Sequence, residues 1–216
     1  MNIAANLFDA HSIVGDLGLV GVLAIIFAES GILIGLAFPG DSLLFIAGVA
    51  ASSAGASILG GASLDPLALF IGAPLAAIVG AQFGHFLGAR YGRKFFERPD
   101  GRFFTQERVA QTEKWLNKYG VGKAVILARF IPFVRTLLNP MVGIIGYPAR
   151  KFLLWNAMGA VIWTQLVLGA GYILGNKISG SIDTYLLPII ALIVFVSVLP
   201  VALEVLKEWR TKKDLS

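Results

Sequence analysis

The chain has 216 residues, 56% hydrophobic and 14% charged, with 18 lysines and arginines against 13 acids for a net charge of +5. A soluble domain averages nearer a quarter charged, so this is the composition of an integral membrane protein. The absence of cysteine, with two histidines (His11 and His85) far apart, excludes disulfides, zinc–thiolate and iron–sulfur sites and leaves no expectation of a metal centre or a cofactor.

A pI near 9.6 raises the question of nucleic acid, but the basic residues flank apolar spans. Membrane orientation explains them, and no nucleic-acid partner is expected. Residues 1–16 form a mildly amphipathic lead-in, whose first twelve residues lack the lysine or arginine that opens a cleavable signal peptide. From Leu17 to Ala56 the apolar character is interrupted by Glu29 and by Phe38-Pro39-Gly40-Asp41-Ser42. Pro-Gly bends the chain, and Asp41 or Ser42 can cap a new helix. Residues 17–56 read as two full spans or as one re-entrant hairpin, and the two acids well inside the stretch favour the hairpin. Leu67–Ala89 is a transmembrane span after a loop at 60–66, with Pro74 as a potential kink. Gly80, Gly84, Gly88 and Gly92 recur every four residues. They give the helix a small-residue face for close packing, within one protomer or in a homo-oligomer.

Residues 90–123 are the main polar segment, from Arg90 to Lys123. Thr105 is a candidate N-cap there, and Val109, Thr112, Leu116 and Tyr119 share one face, the pattern of a cytoplasmic amphipathic helix. Residues 124–147 contain Arg129-Phe-Ile-Pro-Phe-Val-Arg135 and Pro140. An arginine at mid-bilayer costs roughly 2.5–3.5 kcal/mol on insertion scales. Pro132 and Pro140 each remove a backbone donor and should break the helix. Irregular backbone persists at membrane depth only where protein buries it or a wet cavity lines it, so 124–147 is expected to be a second re-entrant hairpin. Further spans follow at 152–175 and 186–206, then a basic tail, 207–216. If both the 90–123 segment and the tail are cytoplasmic, an even number of crossings separates them. The last two spans supply that number, which returns 124–147 to the side it entered.

The two halves echo one another. Phe38-Pro39-Gly40-Asp41-Ser42-Leu43-Leu44 matches Ile131-Pro132-Phe133-Val134-Arg135-Thr136-Leu137-Leu138 with one insertion, and Gly84-His-Phe-Leu-Gly88 matches Gly171-Tyr-Ile-Leu-Gly175. The expected fold is an all-α integral membrane protein in a single membrane domain. It has an inverted repeat (1–89 and 124–178), two opposed re-entrant hairpins, about three full spans and a cytoplasmic amphipathic helix. Broken helices would meet near mid-membrane, as in secondary transporters.

The first hairpin carries Glu29 and Asp41, the second Arg129 and Arg135. Four unpaired charges in one membrane cavity would cost on the order of 10 kcal/mol, comparable to a domain's whole stability. Either they form ion pairs that fix hairpin register, or Arg129 and Arg135 bind an anion while Glu29 or Asp41 carries a proton. A guanidinium's planar fork suits phosphate or carboxylate and stays charged. Burial favours a neutral acid and a neighbouring arginine favours the carboxylate, so alternation between the two couples a proton to the anion. Pro39, Gly40, Pro132 and Pro140 are the candidate hairpin-breaking positions. His85 more simply hydrogen-bonds within the bundle than relays protons. Trp115, Trp155, Trp163 and Trp209 read as interfacial anchors. Asn139 and Asn156 either satisfy broken backbone or line the cavity. No nucleotide loop, catalytic triad or metal-ligand cluster occurs in the sequence, so no catalytic residue or enzymatic activity is expected.

Glu29, Phe38-Pro39-Gly40-Asp41, the Gly84–Gly92 helix, Ala128-Arg129-Phe-Ile-Pro-Phe-Val-Arg135, and Gly143–Gly146 ahead of Trp155-Asn156 together resemble the DedA family of SNARE-associated or VTT-domain membrane proteins, over roughly residues 15–178. The resemblance implies a multi-pass protein of the bacterial inner membrane with opposed re-entrant hairpins. For some members it implies translocation of undecaprenyl phosphate linked to the proton-motive force, and eukaryotic relatives are lipid scramblases. The implied partners are a membrane lipid (polyprenyl phosphate or phospholipid) and protons, and the implied residues are again Glu29, Asp41, Arg129 and Arg135. Many relatives carry an acid where this chain has Ala81. A lipid-phosphate flippase is the leading expectation. A proton-coupled transporter of small ions or osmolytes and a general scramblase are its alternatives, while a lipid-phosphate enzyme is disfavoured because no histidine–aspartate or serine–histidine set lies near the arginines.

Overall fold

Apolar runs with small residues at helical spacing fold as helices, and every regular element among the described residues is one. The computed structural model describes residues 18–31, 40–55, 63–96, 114 and 116–178. The helices are α1 (Gly18–Gly31), α2 (Gly40–Ala50), α3 (Pro66–Phe96), α4 (Val121–Ala128), α5 (Pro132–Ile144) and α6 (Ala149–Ile178). The lead-in, Pro39, the Thr105 cap, the 186–206 span and the basic tail lie outside the described residues.

The frame is α3 and α6, of 31 and 30 residues. At 1.5 Å per residue each is ~45 Å long, enough for a hydrocarbon core of ~30 Å and its interfaces. Asp65 Oδ1 accepts the Ala68 N–H at 2.7 Å and Pro66 follows at the first helical position, a start signal that needs no tertiary help. The helix then runs through Pro74 and on past the predicted end at Ala89, so that Arg90, Arg93 and Lys94 belong to its last turns. Leu67, Ile71, Leu75, Val79 and Phe83 make an exposed stripe along α3, and Leu154, Met158, Ile162, Leu166 and Ile173 make one along α6. Exposed apolar surface of that length is what a bilayer solvates.

The remaining helices are too short to cross. With 14, 11 and 13 residues, α1, α2 and α5 reach only ~16–21 Å. Of the eleven residues of α2, all but Asp41 are buried, as expected of a helix apolar on every side. Its end is tied by Ser52 Oγ, which donates to the Val49 carbonyl at 2.6 Å. At the end of α5, Gly146 adopts φ +72°. The Gly146 N–H then bonds to the Gly143 carbonyl at 3.0 Å and the Tyr147 N–H to that of Val142 at 3.1 Å, a Schellman stop.

α3 and α6 run antiparallel. Gln165 donates to the Phe70 carbonyl at 2.8 Å, Asn156 to Ile78 at 3.0 Å and Gln82 to Ala149 at 3.3 Å, so numbering rises on one helix as it falls on the other. Each long helix seats the second short helix of the opposite half: α2 lies along α6, and α5 lies along α3. Glycines permit both seats. A Cβ on Gly48 would overlap the Leu168 carbonyl and one on Gly171 that of Phe45; a Cβ on Gly143 would overlap the His85 carbonyl and one on Gly88 that of Pro140. The pairs correspond position for position: Phe45 to Pro140, Gly48 to Gly143, Leu168 to His85, Gly171 to Gly88. The counterpart of Gly88 is thus Gly171, one turn away from the Gly175 that the sequence echo pairs with it. A slip of one turn leaves a small-residue pattern almost unchanged, so the echo alone could not set the register.

Two expectations change. The second short pair begins at Val121 rather than 124, because Gly120 at φ +73° already turns the chain into α4. Pro140 does not break the helix but sits inside α5. There the close seat on α3 holds both sides of the proline together, outweighing one missing hydrogen bond.

Candidate functional site

Pro132 organises the turn beneath the site. It has no N–H, and its ring clashes with the carbonyl four residues back, so α4 stops at Ala128. The N–H groups of Arg129, Phe130 and Ile131 bond back to Ile126, Leu127 and Ala128 at 3.2, 3.1 and 3.0 Å. Ile131 is extended at φ −120°, as a residue before proline must be. The chain then enters α5, with Arg135 on its first turn and Arg129 behind it at the end of α4.

Four helices converge on the Arg135 guanidinium. Nη1 donates to Asp41 Oδ1, in the first turn of α2, at 2.9 Å; Nη2 donates to Glu29 Oε1, near the end of α1. The guanidinium lies over the Trp163 ring of α6, 4.5 Å from its centroid. Arg135 and Glu29 are buried, while the Asp41 side chain keeps 26% of its exposure. The second Glu29 oxygen, Oε2, is buried and has no hydrogen-bond partner among the described residues. It rests against Gly40, where a Cβ would overlap the carboxylate. Gly40 therefore does more than start a helix, since its missing side chain is the room Glu29 occupies. Gly40→Ala should displace Glu29 from Arg135 and destabilise the protein by about 1–3 kcal/mol, the usual range for overpacking. A thermal melt in detergent measures this, and an unchanged midpoint would contradict the contact.

Arg129 is placed differently. It is 5% exposed, and its Nη2 donates to the Ala77 carbonyl at 3.3 Å and to Asn156 Oδ1. Among the described residues it meets no carboxylate. Of the four charges expected to converge, Glu29, Asp41 and Arg135 share direct ion pairs, while Arg129 hydrogen-bonds to neutral acceptors beside them. The cause is the tight turn, which leaves Arg129 facing the α3–α6 crossing and Arg135 facing the ends of α1 and α2.

Asn139 donates to the Ser30 carbonyl at 2.9 Å and Asn156 to that of Ile78, so both satisfy backbone. Asn156, through Arg129, also belongs to the charged site. His85 Nε2 meets the Tyr147 carbonyl at 2.9 Å, and its ring stacks on Phe152 with centroids 4.7 Å apart, a bond within the bundle. Ala81 is buried in the apolar cluster with Ala128, Leu138 and Phe152. Trp163, expected at the interface, is buried, and Trp155 packs its ring over Gly122. A signal for Trp163 was present: it lies seven residues from Asn156, two turns along the same face of α6.

One cation faces two acids at Arg135, leaving a single negative charge when all are ionised. A proton on Glu29 would reduce the group to a neutral Arg135–Asp41 pair. The hydrogen bonds of Arg129 go to neutral acceptors.

The family model described as the VTT domain matches residues 19–173. Over 186 residues the chain is 36% identical to Protein DedA of Escherichia coli (strain K12), covering 86% of this chain and 81% of that one. Over 205 residues it is 34% identical to an uncharacterized membrane protein of Mycobacterium tuberculosis, covering 95% of this chain and 86% of the relative. A partial match over 94 residues, 33% identical, covers 42% of this chain and 47% of undecaprenyl phosphate transporter A of Bacillus subtilis. No solved structure matches.

Proposed function

Because the chain belongs to the VTT-domain family of DedA membrane proteins, we propose that it is a transporter that moves a lipid phosphate, undecaprenyl phosphate, across the bacterial inner membrane, driven by the proton-motive force. In this reading α1–α2 and α4–α5 are opposed re-entrant hairpins of an inverted repeat. Residues 186–206 add a further span, and the basic tail is cytoplasmic. Arginine binds the phosphate, Glu29 or Asp41 carries the proton, and the isoprenoid tail stays in lipid. The observation that carries the reading is a buried guanidinium held between two acids where short helices end, with one Glu29 oxygen unpartnered among the described residues. Ionisable groups inside a membrane bundle mark substrate or proton paths. The name of the Bacillus subtilis relative supports the choice of lipid.

The test is movement of labelled undecaprenyl phosphate in proteoliposomes, with and without a pH gradient, against empty liposomes. Gradient-sensitive movement is expected. Equal, gradient-independent movement of zwitterionic phospholipid would make the protein a general scramblase. Proton-linked flux of a small ion or osmolyte without lipid movement would make it a solute transporter, and release of inorganic phosphate would make it an enzyme.

A further inference from the structure

We infer that the parts that move against each other in transport are two composite bodies, α1 with α3 and α5, and α2 with α4 and α6, and that Gln82 and Gln165 position one body on the other. This division presupposes the transporter reading above and identifies its working surface. Inverted-repeat transporters commonly rock one repeat against the other; here each body takes a short helix from the opposite repeat.

The division follows from how the helices touch. α1 and α5 lie along α3, and α2 and α4 lie along α6. Within each body, backbone meets backbone. A Cβ on Gly31 would overlap the Gly80 carbonyl and one on Gly80 that of Phe27, which seats α1 on α3 as Gly88 and Gly143 seat α5. On α6, Gly159 comes against the Ile126 Cα of α4, and α2 is held at Gly48 and Gly171. Among the described residues, no helical glycine makes such a backbone contact between the bodies. Backbone seated in backbone cannot slide without collision, so each body moves as one piece.

Between the bodies the helices meet through side chains. Gln82 and Gln165 each donate to one carbonyl across the α3–α6 crossing, those of Ala149 and Phe70. Arg135 of α5 meets Asp41 of α2 and the Trp163 ring of α6, whereas its bond to Glu29 stays inside one body. A flexible amide can exchange one helix carbonyl for the next, and a glycine seat cannot. The boundary also holds spare acceptors, since Gln82 Oε1 and Glu29 Oε2 are buried without a partner among the described residues. The chain passes from body to body at turns, 129–131 between α4 and α5 and 145–148 between α5 and α6. Ahead of α3, the Leu64 N–H bonds to the Ala50 carbonyl at 3.3 Å, a tether at another such passage. A pivot at these points bends no helix.

The chain has no cysteine, so cysteine pairs in the full chain, bridged by a short reducible thiol reagent in proteoliposomes, test the division. Phe70→Cys/Gln165→Cys and Gln82→Cys/Ala149→Cys bridge the boundary. Leu23→Cys/Gly72→Cys and Ser53→Cys/Asn176→Cys bridge within a body, where Leu23 lies against Gly72 and the Ser53 N–H bonds to Asn176. Bridges across the boundary should cut movement of labelled polyprenyl phosphate at least about tenfold, reversibly on reduction, and bridges within a body should leave it within about twofold. Spin labels at the exposed positions Val20, Phe86 and Ile173 read the motion apart from turnover. The Phe86–Ile173 distance, between bodies, should gain a second population under a pH gradient, and the Val20–Phe86 distance, within one body, should not. Gln165→Leu should shift that population about threefold, the order for one hydrogen bond in a membrane bundle, and leave Val20–Phe86 unchanged. Unimpaired transport with both boundary bridges, loss of transport with both bridges inside a body, or a single Phe86–Ile173 distance under all conditions overturns the division while the transporter reading stands. No movement of lipid or solute by the unbridged wild type overturns both.

Discussion

Arg135→Ala should cost the protein both its stability and its transport, the largest single-residue effect expected in the chain. The substitution leaves Glu29 and Asp41 buried or half-buried with no cation between them. Removing one partner of a buried pair costs about 3–5 kcal/mol, because the remaining charge is uncompensated. Here two acids are stranded, and α1, α2 and α5 lose the group that joins them. Trp163 also loses the cation against its ring face. A thermal melt in detergent should show a lower midpoint or no folded protein. The triple variant with Glu29→Gln and Asp41→Asn removes the stranded charges, so its stability should recover substantially while transport stays absent. That pattern separates the two consequences of one residue. Arg135→Lys is intermediate: it keeps the charge, but an ammonium is a point donor and cannot hold both carboxylates in fixed directions. A wild-type melt for Arg135→Ala would show that the cluster carries no structural weight and remove the ground for its role.

The helices, the turn before Pro132 and the glycine face of α3 were legible in the sequence because their causes are local or periodic. The contact of Glu29 and Asp41 with Arg135 was legible for another reason: charges in apolar stretches are too costly to leave apart. What escaped depends on which surface each residue meets. Arg129 and Arg135 look alike in sequence, six residues apart, yet the turn between them sends one to the α3–α6 crossing and the other to the acids. Trp163 matches an interfacial anchor by type and an Arg135 cover by contact. Gly40 looks like a bend, but its size matters because Glu29 lies on it. Pro140 breaks helices in isolation, and only the seat at Gly88 shows why it does not do so here. The one-turn register of the repeat is likewise a backbone contact that residue types cannot encode.

Glu29→Gln should leave the fold in place and uncouple transport from the pH gradient. Glutamine keeps a side-chain carbonyl in the place of Oε1, so the bond from Arg135 Nη2 survives in neutral form, and the Arg135–Asp41 pair remains. What is lost is the ability to gain and release a proton. Under the proton-carrier reading, transport in proteoliposomes should fall and its response to an imposed gradient should vanish, with the thermal midpoint close to wild type. A purely structural ion pair predicts a different result. If Glu29 only fixes the register of α1 against α5, the amide serves nearly as well, and both the rate and the gradient response should survive. Asp41 is the second acid and is partly exposed, so Asp41→Asn distinguishes a relay from a single carrier. Loss of the gradient response in both variants means the proton passes through the pair. Loss in Glu29→Gln alone places it on the buried carboxylate, where the unpartnered Oε2 is the atom that would take it. A preserved response in the double variant Glu29→Gln/Asp41→Asn would remove both acids from the coupling mechanism.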